Sequence, residues 1–134
     1  MLIFDTAVLM YASGEPHPLR DNAVRLFRDV VEGRAAAATT PEVLQEYAHV
    51  RARRRSRQDA LAQVEHFTRI LSPLTVVTPR DVLDGLALWV ATPSLGAFDS
   101  VLAAVALRTD TSLVSSDKAF AQVPGLDWVD LATY

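Results

Sequence analysis

The sequence contains no cysteine, and this absence excludes several kinds of chemistry. Without cysteine the chain forms no disulfide, binds no metal through thiolate and uses no thiol as a nucleophile. Its three histidines, His17, His49 and His66, lack the spacing of a zinc site. An excess of positive charge is also missing, because the net charge is −3 at pH 7. Nucleic acid would therefore have to bind at a local basic patch.

Long apolar runs are missing as well. No stretch reaches the ~18 apolar residues that mark a membrane span. The apolar amino terminus has no basic leader and contains Asp5, so it is a poor signal peptide. We therefore expect a cytoplasmic protein with no membrane anchor. Hydrophobic residues make up 50% of the 134 positions, which suits one core and predicts a single domain over residues 1–134.

Short apolar segments that suit β-strands alternate with segments of helical periodicity. Strands are predicted at residues 2–4, 35–39, 74–77, 111–115 and 127–131. Helices are predicted at residues 7–12, 19–31, 41–54, 59–71, 79–90 and 97–107, with a brief one at 118–121. This alternation predicts an α/β fold with a mainly parallel sheet of four or five strands and helices on both faces.

The most apolar helical segment is residues 97–107, which is predicted to be buried on almost every side. It carries Asp99 in its first turn. A carboxylate that enters so apolar a core needs a partner, a hydrogen bond or a metal ion. Asp99 is equally well explained as an ordinary acid in the first turn of a helix.

Three further acids are predicted to lie near the same edge of the sheet. Asp5 follows the first strand, Asp117 follows the strand at 111–115, and Glu46 lies on the flank of helix 41–54. Ligands of α/β folds gather beyond the carboxyl ends of the strands. Carboxylates gathered there repel one another unless cations lie among them, and an all-oxygen site suits Mg²⁺ or Mn²⁺. Such a site can activate water to hydrolyse a phosphodiester.

Each acid also suits a purely structural role. Asp5 and Asp117 stand where helix caps occur, and Glu46 suits a solvated position at the rim of the core. The residues alone leave both the metal site and these structural roles open.

Four segments, in order, resemble the signature segments of PIN-domain ribonucleases, most of all the VapC toxins of bacterial toxin–antitoxin pairs. The segments are residues 3–9, 41–47, 95–104 and 113–120. The resemblance implies a PIN-like three-layer α/β/α fold and a Mg²⁺- or Mn²⁺-dependent endoribonuclease that acts on structured RNA such as tRNA or rRNA. It also implies a homodimer that is held inactive by a cognate VapB-type antitoxin.

The acids of the four segments match the catalytic acids of that family by position. They are Asp5, Glu46, Asp99 and Asp117. On this resemblance Asp5, Asp99 and Asp117 are expected to hold the metal, directly or through water, and Glu46 to complete the cluster. A metal-activated water then attacks the phosphate in line and leaves 5′-phosphate and 3′-hydroxyl ends.

Two supporting residues and one departure accompany the acids. Thr6 matches the residue after the first acid, and Ser116 matches the small hydroxyl residue before the last. Ala7 departs from the pattern, because the family frequently has Asn or Ser there. The alternative function is therefore a non-catalytic PIN-like protein that binds RNA or an antitoxin.

Five arginines crowd the end of helix 41–54 and the turn after it. They are Arg51, Arg53, Arg54, Arg55 and Arg57. Because a guanidinium binds phosphate with two hydrogen bonds, this group is the predicted RNA-binding patch. The same arginines also suit a structural role, as cations favoured at a helix carboxyl terminus, and a role as a docking site for an acidic antitoxin segment. The sequence leaves all three roles open.

Two other classes of phosphoryl-transfer protein begin with a strand and an aspartate. A haloacid-dehalogenase-type phosphatase needs a second aspartate two residues after the first, where this chain has Ala7. A response-regulator receiver needs an early acidic pair, which is absent. Neither class fits the sequence.

Overall fold

The fold is built on a sheet of four parallel strands, seen in a computed structural model that describes residues 1–134. The strands are β1 (Leu2–Phe4), β2 (Ala37–Ala38), β3 (Ser112–Ser115) and β4 (Trp128–Asp130), in the order β2-β1-β3-β4. The helices are α1 (Thr6–Ser13), α2 (Arg20–Val31), α3 (Pro41–Arg54), α4 (Arg57–Ile70), α5 (Pro79–Ala91) and α6 (Ala97–Thr109). Short 3₁₀ helices at Lys118–Gln122 and Leu131–Thr133 follow β3 and β4. The predicted α/β architecture with a central parallel sheet is confirmed.

The two central strands are buried on both faces. Successive side chains of a strand point to opposite faces of the sheet. Ile3 and Phe4 of β1, and Leu113 and Val114 of β3, are all fully buried. Helices therefore cover both faces, as the three-layer prediction requires.

The prediction of a strand at residues 74–77 is wrong, because this segment is irregular. Its valines favour β-structure, but propensity gives way to tertiary context. The neighbouring strand β2 is only two residues long. Residues 74–77 run beside the chain just after it, where the Thr75 amide donates one backbone hydrogen bond to the Thr39 carbonyl at 2.9 Å. The guanidinium of Arg108 donates to the Val76 carbonyl at 2.9 Å, so a side chain satisfies a group that a neighbouring strand would otherwise bind.

Two helices begin at the caps that the sequence predicts. Thr40 accepts a hydrogen bond from the Val43 amide at 3.2 Å, and Pro41 is the first residue of α3. Thr78 and Asp81 form a reciprocal capping box at the start of α5. Asp81 is 2% exposed, and both of its carboxylate oxygens accept from the Arg108 guanidinium, at 2.7 and 2.8 Å. This ion pair ties the start of α5 to the end of α6 and lowers the pKa of Asp81.

Helix α6 is buried on most sides but not on all. Residues 102–106 are buried in a row, as predicted. At the start of the helix, however, the Phe98 side chain is 76% exposed. No helix of the chain is both long enough and apolar enough to cross a lipid bilayer.

Helices α5 and α6 approach most closely at Gly85. A Cβ atom added to Gly85 would lie 2.5 Å from the Cα of Val101, which is closer than non-bonded carbon atoms come in proteins. Because the obstacle is backbone, it cannot rotate away as the end of a flexible side chain can. Gly85 is therefore required by packing, although glycine is a poor helix former.

We expect Gly85→Ala to lower the free energy of unfolding by about 1 to 2 kcal/mol, because overpacking outweighs the gain in helix propensity. Ala87→Gly, at an exposed position of the same helix, is the control and should cost about 1 kcal/mol through propensity alone. Urea unfolding measures both variants. A Gly85→Ala protein as stable as the wild type would contradict this account of the interface.

Candidate active site

Asp5 and Asp117 lie at the same edge of the sheet because their strands are parallel neighbours. Asp5 directly follows β1, and Asp117 comes two residues after the end of β3. Both carboxylates also cap helices: Asp5 accepts from the Val8 amide at 3.2 Å, and Asp117 accepts from the Ala119 amide at 2.9 Å. The structural role predicted for these two acids is therefore correct, and it coexists with their convergence.

Glu46 and Asp99 reach the same place from two helices. Asp99 lies in the first turn of α6, and Glu46 lies in the second turn of α3. The hydroxyl of Thr6 donates to Glu46 Oε2 at 2.6 Å and so fixes that side chain at the start of α1. All four acids and Thr6 line one cavity of about 440 Å³.

Ser115 joins the first and fourth acids. Its hydroxyl donates to Asp5 Oδ2 and accepts from the Asp117 amide at 3.0 Å. Ser116, the predicted supporting residue, makes no side-chain hydrogen bond. The hydroxyl that bridges the two acids belongs to Ser115, because this residue ends β3 with its side chain fully buried beside Asp5.

The acids are unfavourably placed for negative charge. Burial raises the pKa of Asp5 to about 7, with a smaller contribution from the Asp99 charge, although hydrogen bonds from Ser115 and from backbone amides act in the opposite direction. Burial, with repulsion from Glu46 and Asp117, raises the pKa of Asp99 to about 6. The cavity therefore favours any cation that can lie among these carboxylates.

The donor set suits a hard divalent cation in its chemistry, since every candidate ligand is a carboxylate oxygen. No three acidic or histidine side chains of the chain lie close enough together to hold one metal ion. Ala7 contributes a methyl group to the wall where a polar side chain is usual in the family that the sequence resembles. The Asp5 carboxylate is still bound by a backbone amide, that of Val8, which needs no side chain at position 7.

The five arginines do not form a single patch. Arg51 is 8% exposed, and its guanidinium binds Asp59 and the Ser13 carbonyl. The prediction that Arg51 binds RNA is therefore corrected, because this side chain is buried and its donors hold α1, α3 and α4 together. Arg55 pairs with Glu15.

The remaining arginines, Arg53, Arg54 and Arg57, are exposed. Arg54 alone of the five lines the acidic cavity. It therefore brings a positive charge to a wall that also carries five carboxylates, those of the four predicted acids and of Glu15.

Two cavity residues escaped sequence reasoning. Tyr11 and His17 also line the acidic cavity, and their rings stack on each other. Helical spacing could have placed Tyr11 on the cavity wall, because Tyr11 shares a face of α1 with Ala7, four residues earlier. His17 lies in a loop, and no periodicity applies there.

A second cavity, of about 320 Å³, adjoins the first and is mostly apolar. The two share Thr6, Glu46 and Asp99. The apolar wall includes the exposed side chains Val82, Leu86 and Phe98. An apolar groove with carboxylates along one margin suits a ligand that is both apolar and basic.

Comparisons with known proteins agree with this geometry. The sequence matches the PIN domain family over residues 2–126. Ribonuclease VapC7 from Mycobacterium tuberculosis is 47% identical over 128 residues, which cover 92% of this chain and 86% of the relative. Ribonuclease VapC13 from the same organism is 27% identical over 127 residues, which cover 94% of this chain and 97% of the relative.

A solved structure shares the fold. It is a chain of the crystal structure of VapBC2 from Rickettsia felis bound to a DNA fragment from their promoter. It matches with a TM-score of 0.72 and 17% identity, over 96% of this chain and 97% of that chain. The family match and the 47% identical relative show that the chain belongs to the PIN-domain family and to its VapC group.

Proposed function

We propose that this protein is a divalent-metal-dependent endoribonuclease and the toxin of a toxin–antitoxin pair. The observation that carries the proposal is the convergence of Asp5, Glu46, Asp99 and Asp117 on one cavity, with Arg54 on its wall. The relative that is 47% identical bears the name ribonuclease. Structured RNA, tRNA or rRNA, is the proposed substrate, and the cytoplasm, where such RNA lies, is the proposed location.

The proposed metal ligands are Asp5, Asp99 and Asp117. When bound, Mg²⁺ or Mn²⁺ supplies charge stabilisation and makes a coordinated water more acidic. Because Mg²⁺ keeps several of its waters in proteins, side chains too far apart to ligate one ion directly can still share it through water.

The chain's own groups position the reactants. Thr6 holds Glu46 by Oε2, which leaves Oε1 free to orient the attacking water. Ser115 fixes Asp5 through its hydroxyl, and Arg54 binds a phosphate of the RNA strand. Attack of this water on phosphorus would form the new P–O bond and break the bond to the 3′ oxygen. The water gives up a proton and the departing 3′ oxygen takes one up from solvent, so the products carry 5′-phosphate and 3′-hydroxyl ends.

An antitoxin of the VapB type is the proposed inhibitor, and its proposed site is the apolar cavity beside the acids. Val82, Leu86 and Phe98 offer an exposed apolar wall, and Glu46 and Asp99 give the margin negative charge. A segment with apolar and basic side chains complements both features. The active toxin is proposed to be a homodimer, as the family resemblance implies.

We expect purified protein to cut total cellular RNA at discrete sites with Mn²⁺ or Mg²⁺, and to lose this activity in EDTA. Asp5→Asn should lower the rate by at least about a hundredfold, because the site loses a charge on which its electrostatic stabilisation depends. Asp21→Asn, at an exposed acid of α2, is the matched control and should cut normally. Mapping the new ends for 5′-phosphate completes the measurement.

Cleavage that persists in EDTA, or that Asp5→Asn carries out at the normal rate, would overturn the proposed chemistry. RNA binding without cleavage, in folded protein free of antitoxin, would favour the non-catalytic alternative.

Without metal, the stability of the protein should depend on pH through the buried acids. In EDTA, the folded state binds the Asp5 proton more tightly than the unfolded chain does, because the folded pKa is raised from 3.8 to about 7. This contribution to stability is present at low pH and is lost as the pH rises through about 7. We expect the Asp5 contribution to fall by about 2.5 kcal/mol between pH 5 and 8. Asp99, whose pKa is raised to about 6, lowers stability further in the same range.

Mg²⁺ or Mn²⁺ should restore the lost stability, and more at pH 8 than at pH 5, because the ion binds the ionised carboxylates. Thermal unfolding measures both effects. Asp5→Asn should show a flatter pH profile in EDTA and a smaller response to metal. An equal response in wild type and Asp5→Asn would place the metal elsewhere.

Arg54→Gln should weaken RNA binding and reduce the slope of log K against log salt by about 0.7, the value for one phosphate contact with a single strand. Arg69→Gln, at an exposed arginine of α4, is the control. Binding is measured by salt titration in EDTA. Equal slopes for the two variants would show that Arg54 makes no specific phosphate contact.

A further inference from the structure

One wall of the acidic cavity carries a pair of stacked rings that the proposed chemistry does not use. The rings of Tyr11 and His17 lie 4.4 Å apart between centroids, with an angle of 26° between their planes. Tyr11 is half-buried and His17 is exposed. Tyr11 therefore covers one face of the imidazole, and the other face is open to solvent.

The His17 ring is held in place although it is exposed. Pro16 and Pro18 flank it, and prolines restrict both their own backbone and that of the residue before them. The ring nitrogen Nδ1 accepts a hydrogen bond from the Leu19 amide at 3.1 Å. The stack on Tyr11, the flanking prolines and the hydrogen bond from Leu19 therefore fix the ring as a flat surface. An unconstrained exposed histidine would change rotamer freely and would lose more entropy on binding.

The stacked pair and the four acids line the same cavity. Ala7, Met10 and Tyr11 form the face of α1 that lines the cavity, and Gly14 follows the helix on the same wall. Tyr11 comes six positions after Asp5, the cap of α1, which is a rise of about 9 Å along the helix axis. That length spans about two or three stacked nucleotides at about 3.4 Å each. Arg54 lines the same cavity and can neutralise a phosphate between the two positions.

We infer that His17, backed by Tyr11, is a stacking site for a nucleobase of single-stranded RNA, a few nucleotides from the phosphate that is cut. The inference rests on the proposed function, since it takes RNA as the ligand of the cavity. Aromatic side chains bind bases in this way with little regard to sequence, because every base has a π-face. The site would require the strand to be unpaired here, which directs the enzyme to loops of structured RNA.

The test is fluorescence of a short single-stranded RNA that carries 2-aminopurine at each position in turn, titrated with full-length protein in EDTA. Stacking on an aromatic ring quenches this base, whereas a change in protein stability does not. We expect quenching at one position of the bound strand. His17→Ala should abolish it and weaken binding about tenfold, the loss of one stacked base.

Two further variants sharpen the test. His17→Phe keeps a flat ring and should retain the quenching, although it loses the hydrogen bond to Leu19. His49→Ala, at an exposed histidine of α3 outside the cavity, should behave as the wild type. Thermal unfolding confirms that each variant is folded, and gel electrophoresis confirms that the RNA stays intact.

Undiminished quenching in His17→Ala would overturn the inference, as would a wild type that binds the RNA without quenching any position. A His17→Ala variant that loses stability but keeps the quenching assigns the ring pair to the loop alone and overturns it too. The proposed nuclease activity fails separately: quenching at His17 without metal-dependent cleavage would leave the stacking site standing and reject the catalytic proposal.

Discussion

The acidic cavity depends on the parallel pairing of β1 with β3. Phe4 lies opposite Val114, so the chain leaves both strands at the same height. Asp5 follows β1 directly and Asp117 comes two residues after the end of β3. The Ser115 hydroxyl connects the Asp5 carboxylate to the Asp117 amide. A shift of one residue in this register would turn every side chain to the other face. The strand register therefore decides that Asp5 and Asp117 lie close together.

At this edge of the sheet, ionising the buried carboxylates costs free energy of folding. Burial and mutual repulsion raise the pKa values of Asp5 and Asp99, which means that the folded protein resists ionising them. For Asp5, the Val8 amide and the Ser115 hydroxyl offset part of that cost. A cation bound as proposed above would offset more of that cost.

Neighbouring residues of one chemical type take different roles because packing separates them. Arg51 is enclosed by α1 and α4 and binds Asp59 and a backbone carbonyl. Arg54, one turn later, lines the cavity. A buried guanidinium with its donors paired cannot serve a ligand, and an exposed one on the cavity wall can. The two guanidinium groups carry the same charge, and only their surroundings decide whether each is available to a ligand.

By itself, the sequence determined the α/β class, the caps of α3 and α5 and the identity of the acids, because periodicity, capping and residue type act over a few positions. It also predicted that Asp5 and Asp117 would meet, since parallel strands share a carboxyl edge. Tertiary structure alone decided that residues 74–77 form no strand, that Ser115 rather than Ser116 bridges the acids, and that Arg51 is buried. It also placed Tyr11 and His17 on the cavity wall. These outcomes depend on contacts between segments far apart in the chain, about which local propensity carries no information.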